Sequence, residues 1–372
     1  MSQWADSLEE LAGDVLPEPV YRYFRQGARD GVTAAEASEA WDRYRFLPSV
    51  LRDVTEVDCS SSALDTSLSS PAAIAPTTLQ RAAHPEGELA MARAVAQAGS
   101  LLVVSSNSGS TFEEIAETGV RWWLQAYVTA DRDAIKPLLR RAVDAGARAV
   151  VLTADTPVVG VKYDGAAETV WDIVDPALLR VNFRRSPGDS LGDSLGDSLG
   201  DSLGDPKATD LGPADIARLR EEAGLPVVVK GVLRPEDARR CVEAGAAAIW
   251  VSNHGGRQLD YAAATAHCLA AVADEVGADA EVYVDGGVRS ARHILSAVSL
   301  GARAVFLGRL PLYALAVNGG DGVARLLAEL RAELEDAMRL VGAIGLRACH
   351  PQGSVLHVRD AAEWPDERPK RF

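Results

Sequence analysis

The strongest constraint on this chain is a rhythm: eight short apolar runs, each ending in a polar residue or glycine, with amphipathic stretches between them. The runs are 71–76 (PAAIAP), 101–106 (LLVVSS), 121–127 (RWWLQAY), 149–155 (AVVLTAD), 226–231 (PVVVKG), 247–253 (AAIWVSN), 282–287 (VYVDGG) and 304–309 (AVFLGR). Continuous apolar runs of this length read as strands buried on both faces, the pattern of a parallel sheet covered by helices. Between them, residues 86–98, 134–145, 235–244, 261–276 and 290–300 carry helical spacing, several closed by glycine. Eight strand–helix units of the α/β class close into a (β/α)8 TIM barrel. A doubly wound open sheet is the alternative, but no G-x-G-x-x-G follows the first run to support it.

Residues 1–45 read as a helical extension packed on the barrel. Leu8, Leu11 and Val15, then Val20, Tyr21 and Phe24, recur at helical spacing on either side of Pro17 and Pro19, and Gln26-Gly27 is expected to end the second helix with a glycine cap. The barrel is assigned to 46–350, with 321–341 as a long closing helix, and 351–372 is a C-terminal tail. One interval, 156–225 after the fourth strand, breaks the rhythm. It contains Gly-Asp-Ser-Leu four times in register at 188–203, and 186–206 is too poor in apolar residues to fold alone, so a long mobile loop is expected. The same four letters open a serine-hydrolase motif. A nucleophile must be held once, with a base behind it, and tandem copies do not do that.

Composition narrows the function. A chain of 372 residues that is 47% hydrophobic can bury a large core. A formal charge of −15 and a pI near 4.9 argue against nucleic acid or an anionic membrane as partner, since both call for basic patches. Cys59, Cys241, Cys268 and Cys349 lie far apart, so neither a metal site nor a redox pair is expected. With no run of eighteen apolar residues and no signal-like start, the expected compartment is the cytoplasm.

In barrels of this type chemistry gathers where the strands end. The residues there are Thr77 and Thr78; Ser105, Ser106 and Asn107; Gln125 and Tyr127; Thr153 and Asp155; Lys230; His254 and Arg257; Asp285 to Arg289; Gly308 and Arg309. Polar termini on every strand favour a ligand rich in heteroatoms. A lone histidine after a strand commonly serves as a cap, but in Ser252-Asn253-His254-Gly255-Gly256-Arg257 a guanidinium follows within one tight turn, which favours a base beside an anion holder. The last two loops, Asp285-Gly286-Gly287-Val288-Arg289 and Leu307-Gly308-Arg309, pair glycines with arginines where such barrels bind phosphate. Lys230 reads either as an imine-forming lysine or as a fixed charge, and no acid or tyrosine on its own strand decides between them.

SNHGGRQLD, VVVKGV, VYVDGGVR, VFLGR, IAPT and AHPEGE together resemble the FMN-dependent 2-hydroxy acid oxidase and dehydrogenase family of glycolate oxidase, lactate oxidase and mandelate dehydrogenase. The likeness runs from Tyr23 to about Gly342, with the motifs in the family's order. It implies bound FMN, with Thr77, Thr78, Ser106, Gln125 and Thr153 along the isoalloxazine and ribityl groups. Arg289, Gly308 and Arg309, with Asp285 to Gly287, are implied at its phosphate, and Lys230 where positive charge favours the reduced flavin. His254 is the implied base, Asp155 the carboxylate that stabilises its protonated form, and Arg257 the clamp on the substrate carboxylate, with Tyr23 and Tyr127 adding hydroxyl bonds. The implied reaction takes a 2-hydroxy acid to a 2-oxo acid and passes electrons to oxygen or another acceptor, in a homo-oligomer of tetrameric type.

Three positions depart from the family pattern. Lys162 is the nearest substitute for a second carboxylate-binding arginine, and lysine is a point charge rather than a planar fork. Asn107 stands where an aromatic residue is common, and Thr78 where alanine or glycine is usual. All three face the substrate, which keeps open a bulkier or modified substrate of a secondary pathway. A non-catalytic ligand-binding barrel and a sugar-phosphate isomerase or aldolase are further alternatives that the fold alone does not exclude.

Overall fold

A computed structural model describes residues 3–163, 168–183, 207–350 and 357–360; the Gly-Asp-Ser-Leu repeat and the rest of the C-terminal tail lie outside them. In chain order the strands are β1 (Tyr44–Leu47), β2 (Ser61–Ala63), β3 (Thr66–Leu68), β4 (Ala72–Ile74), β5 (Leu101–Ser105), β6 (Arg121–Ala126), β7 (Val150–Thr153), β8 (Val227–Val232), β9 (Ala248–Val251), β10 (Glu281–Val284), β11 (Ala304–Leu307) and β12 (His357–Asp360). Strands β4 to β11 close into one parallel barrel, in sequence order around the ring, and each of the eight apolar runs holds one of them. Helices cover the outside, as the alternation of runs and amphipathic stretches requires.

Side chains alternate along each strand between the two faces of the wall. On β9, Ala248 and Trp250 face the barrel interior, while Ile249 and Val251 pack outward against the helices. Trp123, Trp250, Tyr283 and Phe306 fill the interior and are fully buried, with Trp250 stacked on Phe306 at a centroid distance of 3.8 Å. Truncating one such ring leaves a void that costs about 3–5 kcal/mol. The hairpin β2–β3 closes the N-terminal end of the barrel, where the Leu64 N–H is bonded by Glu281 Oε2 at 2.9 Å and Tyr283 Oη at 3.0 Å.

Three helices precede the barrel: α1 (Gln3–Val15), α2 (Glu18–Arg25) and α3 (Val32–Asp42). Helix α1 buries Ala5, Leu8 and Ala12 against the closing helix, whereas Val15, expected on that face, is exposed. The expected glycine cap on α2 is absent: Gln26 is extended (φ −61°, ψ 142°) and Gly27 has no positive φ. Arginines from the barrel loops take the last carbonyls instead. Arg257 Nη1 bonds Tyr23 O at 2.7 Å and Gln26 O at 3.0 Å, and Arg309 Nε bonds Phe24 O at 3.0 Å. Gly27 serves close approach, since a Cβ there would lie 2.9 Å from that of Ala34. This clamp lays α2 over the C-terminal mouth of the barrel.

The closing helix spans Arg309–Val341 and so begins earlier than expected, with a break at Asn318 and Gly319. Strand β1 pairs antiparallel with β12, so part of the segment read as a tail returns to the edge of the N-terminal segment. The long interval after β7 holds ordered elements at Val170–Ile173, Pro176–Arg180 and Pro213–Ala223, the last packing on β7 and β8.

Candidate active site

At the C-terminal mouth a cavity of about 240 Å³ gathers nearly all the expected site residues. Tyr23, Thr77, Thr78, Asn107, Gln125, Tyr127, Thr153, Lys162, Lys230, His254, Arg257, Asp285, Gly287, Arg289, Gly308 and Arg309 line it. Ser106 does not. The wall carries Ser105 instead, because β5 runs to that residue and turns Ser106 back toward the Asn107 side chain at 3.3 Å. Ser105, Gln125 and Thr153 form a row across three strands: Ser105 Oγ donates to Gln125 Oε1 (3.2 Å), and Gln125 Nε2 to Thr153 Oγ1 (2.9 Å).

His254 sits in the left-handed region (φ 59°), which costs energy for a residue with a Cβ and here turns its ring into the mouth. Asp155, which stands behind the cavity wall, places Oδ1 3.1 Å from His254 Nδ1, so Nε2 is the nitrogen left for a ligand. Burial lowers the His254 pKa while Asp155 opposes that shift. Burial also works against the Asp155 carboxylate, yet His254 and Lys230 bring its pKa below the ordinary value. The imidazole is therefore neutral near pH 7 and has a carboxylate ready for the proton-bearing form.

Gly231, unremarked in the sequence, makes this arrangement possible. It lies at φ 107°, where β8 breaks register between Lys230 and Val232, and a Cβ there would come 2.6 Å from the Asp155 Cβ. Lys230 finds its acid on a different strand: Nζ lies 3.4 Å from Asp285 Oδ2 and donates to Ser252 Oγ at 2.8 Å, and Ser252 in turn donates to Asp285 Oδ1 at 2.7 Å. A lysine held by a carboxylate and a hydroxyl is a fixed positive charge rather than an imine former. Ser252 stood in the SNHGGRQLD motif without a role, because its partners Lys230 and Asp285 come from other strands.

The loop after β10 forms an anion cradle. Trp41 Nε1 bonds the Gly286 carbonyl at 2.8 Å and Ser38 Oγ bonds that of Gly287 at 2.7 Å, both from α3. In a trans peptide the following N–H points the opposite way, so Gly287 and Val288 turn theirs from α3, and neither has a partner among the described residues. A Cβ on Gly287 would fall 2.0 Å from Ala37 O, so only glycine lets loop and helix meet. Arg289 and the free N-terminus of the closing helix at Gly308 complete the cradle, and Arg289 has no carboxylate partner among the described residues. Arg309, expected at the same place, lines the cavity but commits three donors to carbonyls of Phe24, Gln26 and Gly255; burial, then Arg257, brings its pKa down to about 10. Unpartnered N–H groups, an unpaired guanidinium and a helix N-terminus are the donor set a phosphate monoester requires, so these residues fit FMN.

At the substrate side, the Arg257 guanidinium lies 5.0 Å from the Tyr23 ring centroid. Burial, with Asp155 adding to it, pushes the Tyr127 pKa up, which keeps its hydroxyl a donor. Lys162 donates to the carbonyls of Gly160 (2.6 Å) and Arg257 (2.5 Å). Lys207, absent from the sequence reading because it follows the repeat with no motif around it, reaches over Tyr127 with Nζ 4.0 Å from the ring centroid.

A histidine backed by a carboxylate and a phosphate cradle share the mouth of an eight-stranded barrel, the arrangement of a TIM-barrel enzyme that sets a base beside a phosphate-bearing ligand. The family model for FMN-dependent dehydrogenases matches residues 12–355. Glycolate oxidase of Spinacia oleracea is 40% identical over 358 residues, covering 96% of this chain and 95% of that protein. 2-Hydroxyacid oxidase 1 of Homo sapiens is 40% identical over 339 residues, covering 90% and 91%. A crystal structure of mandelate oxidase with (S)-4-hydroxymandelic acid superposes with a TM-score of 0.83 at 36% identity, covering 95% and 98%. The chain belongs to the FMN-dependent dehydrogenase family, FMN is its cofactor, and it is an enzyme.

Proposed function

We propose that this enzyme oxidises the Cα–OH of a 2-hydroxy acid, giving the 2-oxo acid, with the residues of the mouth in the following roles. The observation that carries the reading is that His254, backed at 3.1 Å by Asp155 behind the wall, lines the same cavity as the phosphate cradle. Arg289, Gly308 and the backbone of Gly286 to Val288 would hold FMN, which would supply the two-electron acceptor. His254 takes a proton from the substrate at Nε2, and Asp155 stabilises the resulting imidazolium. Arg257 binds the substrate carboxylate with the donors it does not spend on α2, and Tyr23 and Tyr127 add hydroxyl bonds. Lys230, pinned by Asp285 and Ser252, supplies positive potential that does not move during the reaction.

The electron acceptor is oxygen or another oxidant; Thr78, whose hydroxyl bonds Asn107 O at 3.3 Å, lines the same cavity. A cytoplasmic homotetramer is the expected form, to be checked by fractionation and by light scattering. The reaction is tested by anaerobic titration of the purified protein with a panel of 2-hydroxy acids, followed by air. Bleaching of the flavin band by an acid, abolished in His254→Ala with flavin still bound, supports the assignment. A yellow protein that no 2-hydroxy acid reduces would overturn it.

A further inference from the structure

One face of α3 governs the loop that receives the phosphate. Ser38 and Trp41 hold the carbonyls of Gly287 and Gly286, and Asp42, on the same face by helical spacing, reaches the loop through a histidine. That histidine, His293, lies in the helix Ala291–Ser299 and is 5% exposed. Its Nε2 is 2.9 Å from Asp42 Oδ1, and its Nδ1 accepts the Arg289 N–H at 3.2 Å.

These contacts fix the tautomer. A ring nitrogen that accepts an N–H carries no proton, so the proton of neutral His293 is on Nε2, where Asp42 accepts it. They also divide the groups of the loop. Two carbonyls and the Arg289 N–H are tied toward α3, which leaves the N–H groups of Gly287 and Val288 and the Arg289 guanidinium for an anion. A second proton on the ring sets an Nδ1–H against the Arg289 N–H. Two donors at that distance repel, and the peptide that aims the guanidinium has to turn away.

Among the described residues, the charges that act most strongly on His293 are Asp42 on α3, Arg292 on its own helix, and Arg289. Strand β11, the buried face of the closing helix and the buried residues of the short helix Leu346–Cys349 also pack on that helix and carry no charge. Burial lowers the His293 pKa, and Asp42 opposes that shift.

We propose that His293 is a positioning residue for the cofactor phosphate: neutral, it ties the Arg289 peptide to α3 and keeps the anion cradle in its binding form, and protonated, it releases the cradle, so that acid loosens FMN. This rests on FMN as the cofactor and not on which acid is oxidised. Affinity is full above the His293 pKa and falls as pH drops through it. That point lies below the ordinary histidine value, because burial is the largest effect on the ring.

The test follows release of FMN from diluted holoenzyme by recovery of free-flavin fluorescence at about pH 7.5 and about pH 5.5, with riboflavin-reconstituted protein as reference. Between those two conditions the FMN dissociation constant of the parent is expected to rise about threefold more than that of His293→Asn, whose Oδ1 replaces Nδ1 as acceptor but does not titrate. The second ionisation of the phosphate itself, at about pH 6, weakens binding in both proteins alike and cancels in the comparison. Asp42→Asn removes the charge that favours the imidazolium, so its loss of affinity is expected to begin at lower pH than the parent's. At about pH 7.5, His293→Leu leaves the Arg289 N–H without an acceptor and is expected to bind FMN about tenfold more weakly than His293→Asn. Riboflavin, which lacks the phosphate, is expected to separate these proteins by no more than about twofold.

Equal pH dependence in the parent and His293→Asn, an acid limb that moves up in Asp42→Asn, or losses as large for riboflavin as for FMN would overturn the proposal and leave His293 as a strut between two helices.

Discussion

Replacing Asp155 with asparagine tests the most specific claim about the mechanism, that a buried carboxylate stabilises the imidazolium formed at His254. The contact is 3.1 Å between Asp155 Oδ1 and His254 Nδ1, which puts the charge centres roughly 4 Å apart; at an effective dielectric constant of about 20 that is worth about 4 kcal/mol. An asparagine oxygen still accepts the Nδ1 proton and returns about 1 kcal/mol of hydrogen bonding. The remaining loss, about 3 kcal/mol, slows the chemical step by roughly two orders of magnitude. Rapid-mixing measurement of the limiting rate of flavin reduction isolates that step. The pH dependence adds a second readout. His254 works only when neutral, so the rate falls as pH drops through its pKa, which burial already depresses and which Asp155 pulls upward. Removing that upward pull moves the acid limb to lower pH, so the variant is slower yet keeps its own maximum further into acid. A plateau rate within threefold of the parent, or a limb that stays put or moves up, would refute the reasoning.

Gly231→Ala forces a Cβ into a backbone at φ 107° and to 2.6 Å from the Asp155 Cβ, and the backbone term alone is expected to cost about 1–3 kcal/mol. Denaturant unfolding with an unchanged midpoint would count against it. Arg289→Gln removes the cradle's unpaired guanidinium and is expected to weaken FMN binding by about tenfold or more while leaving riboflavin binding nearly unchanged, as read by flavin fluorescence; equal affinity for FMN in the two proteins would show that the phosphate lies elsewhere.

Most of the fold and much of the site were legible in the chain, for identifiable reasons. Eight apolar runs announce eight strands because a strand buried on both faces needs apolar residues at every position. The polar residue that ends each run marks the mouth because the helices that follow must turn there. His254, Arg257, Lys230 and Arg289 declared themselves because each stands beside a glycine or another polar group at a strand end. Reading failed where a partner comes from far along the chain. The missing cap on α2 could not be replaced on paper by Arg257 and Arg309, more than two hundred residues away. Asp285 as the acid beside Lys230, and Lys207 over Tyr127, were likewise invisible.

The sequence by itself determined the barrel, the end of it that works and the chemical types assembled there, since all three follow from periodicity and from residues adjacent in the chain. Only the tertiary structure decided which carboxylate serves which cation, which arginine is free for an anion and which is spent on helix carbonyls, and that Gly231 must yield its space to Asp155. Those are questions of distance and burial between segments that meet only when the ring closes.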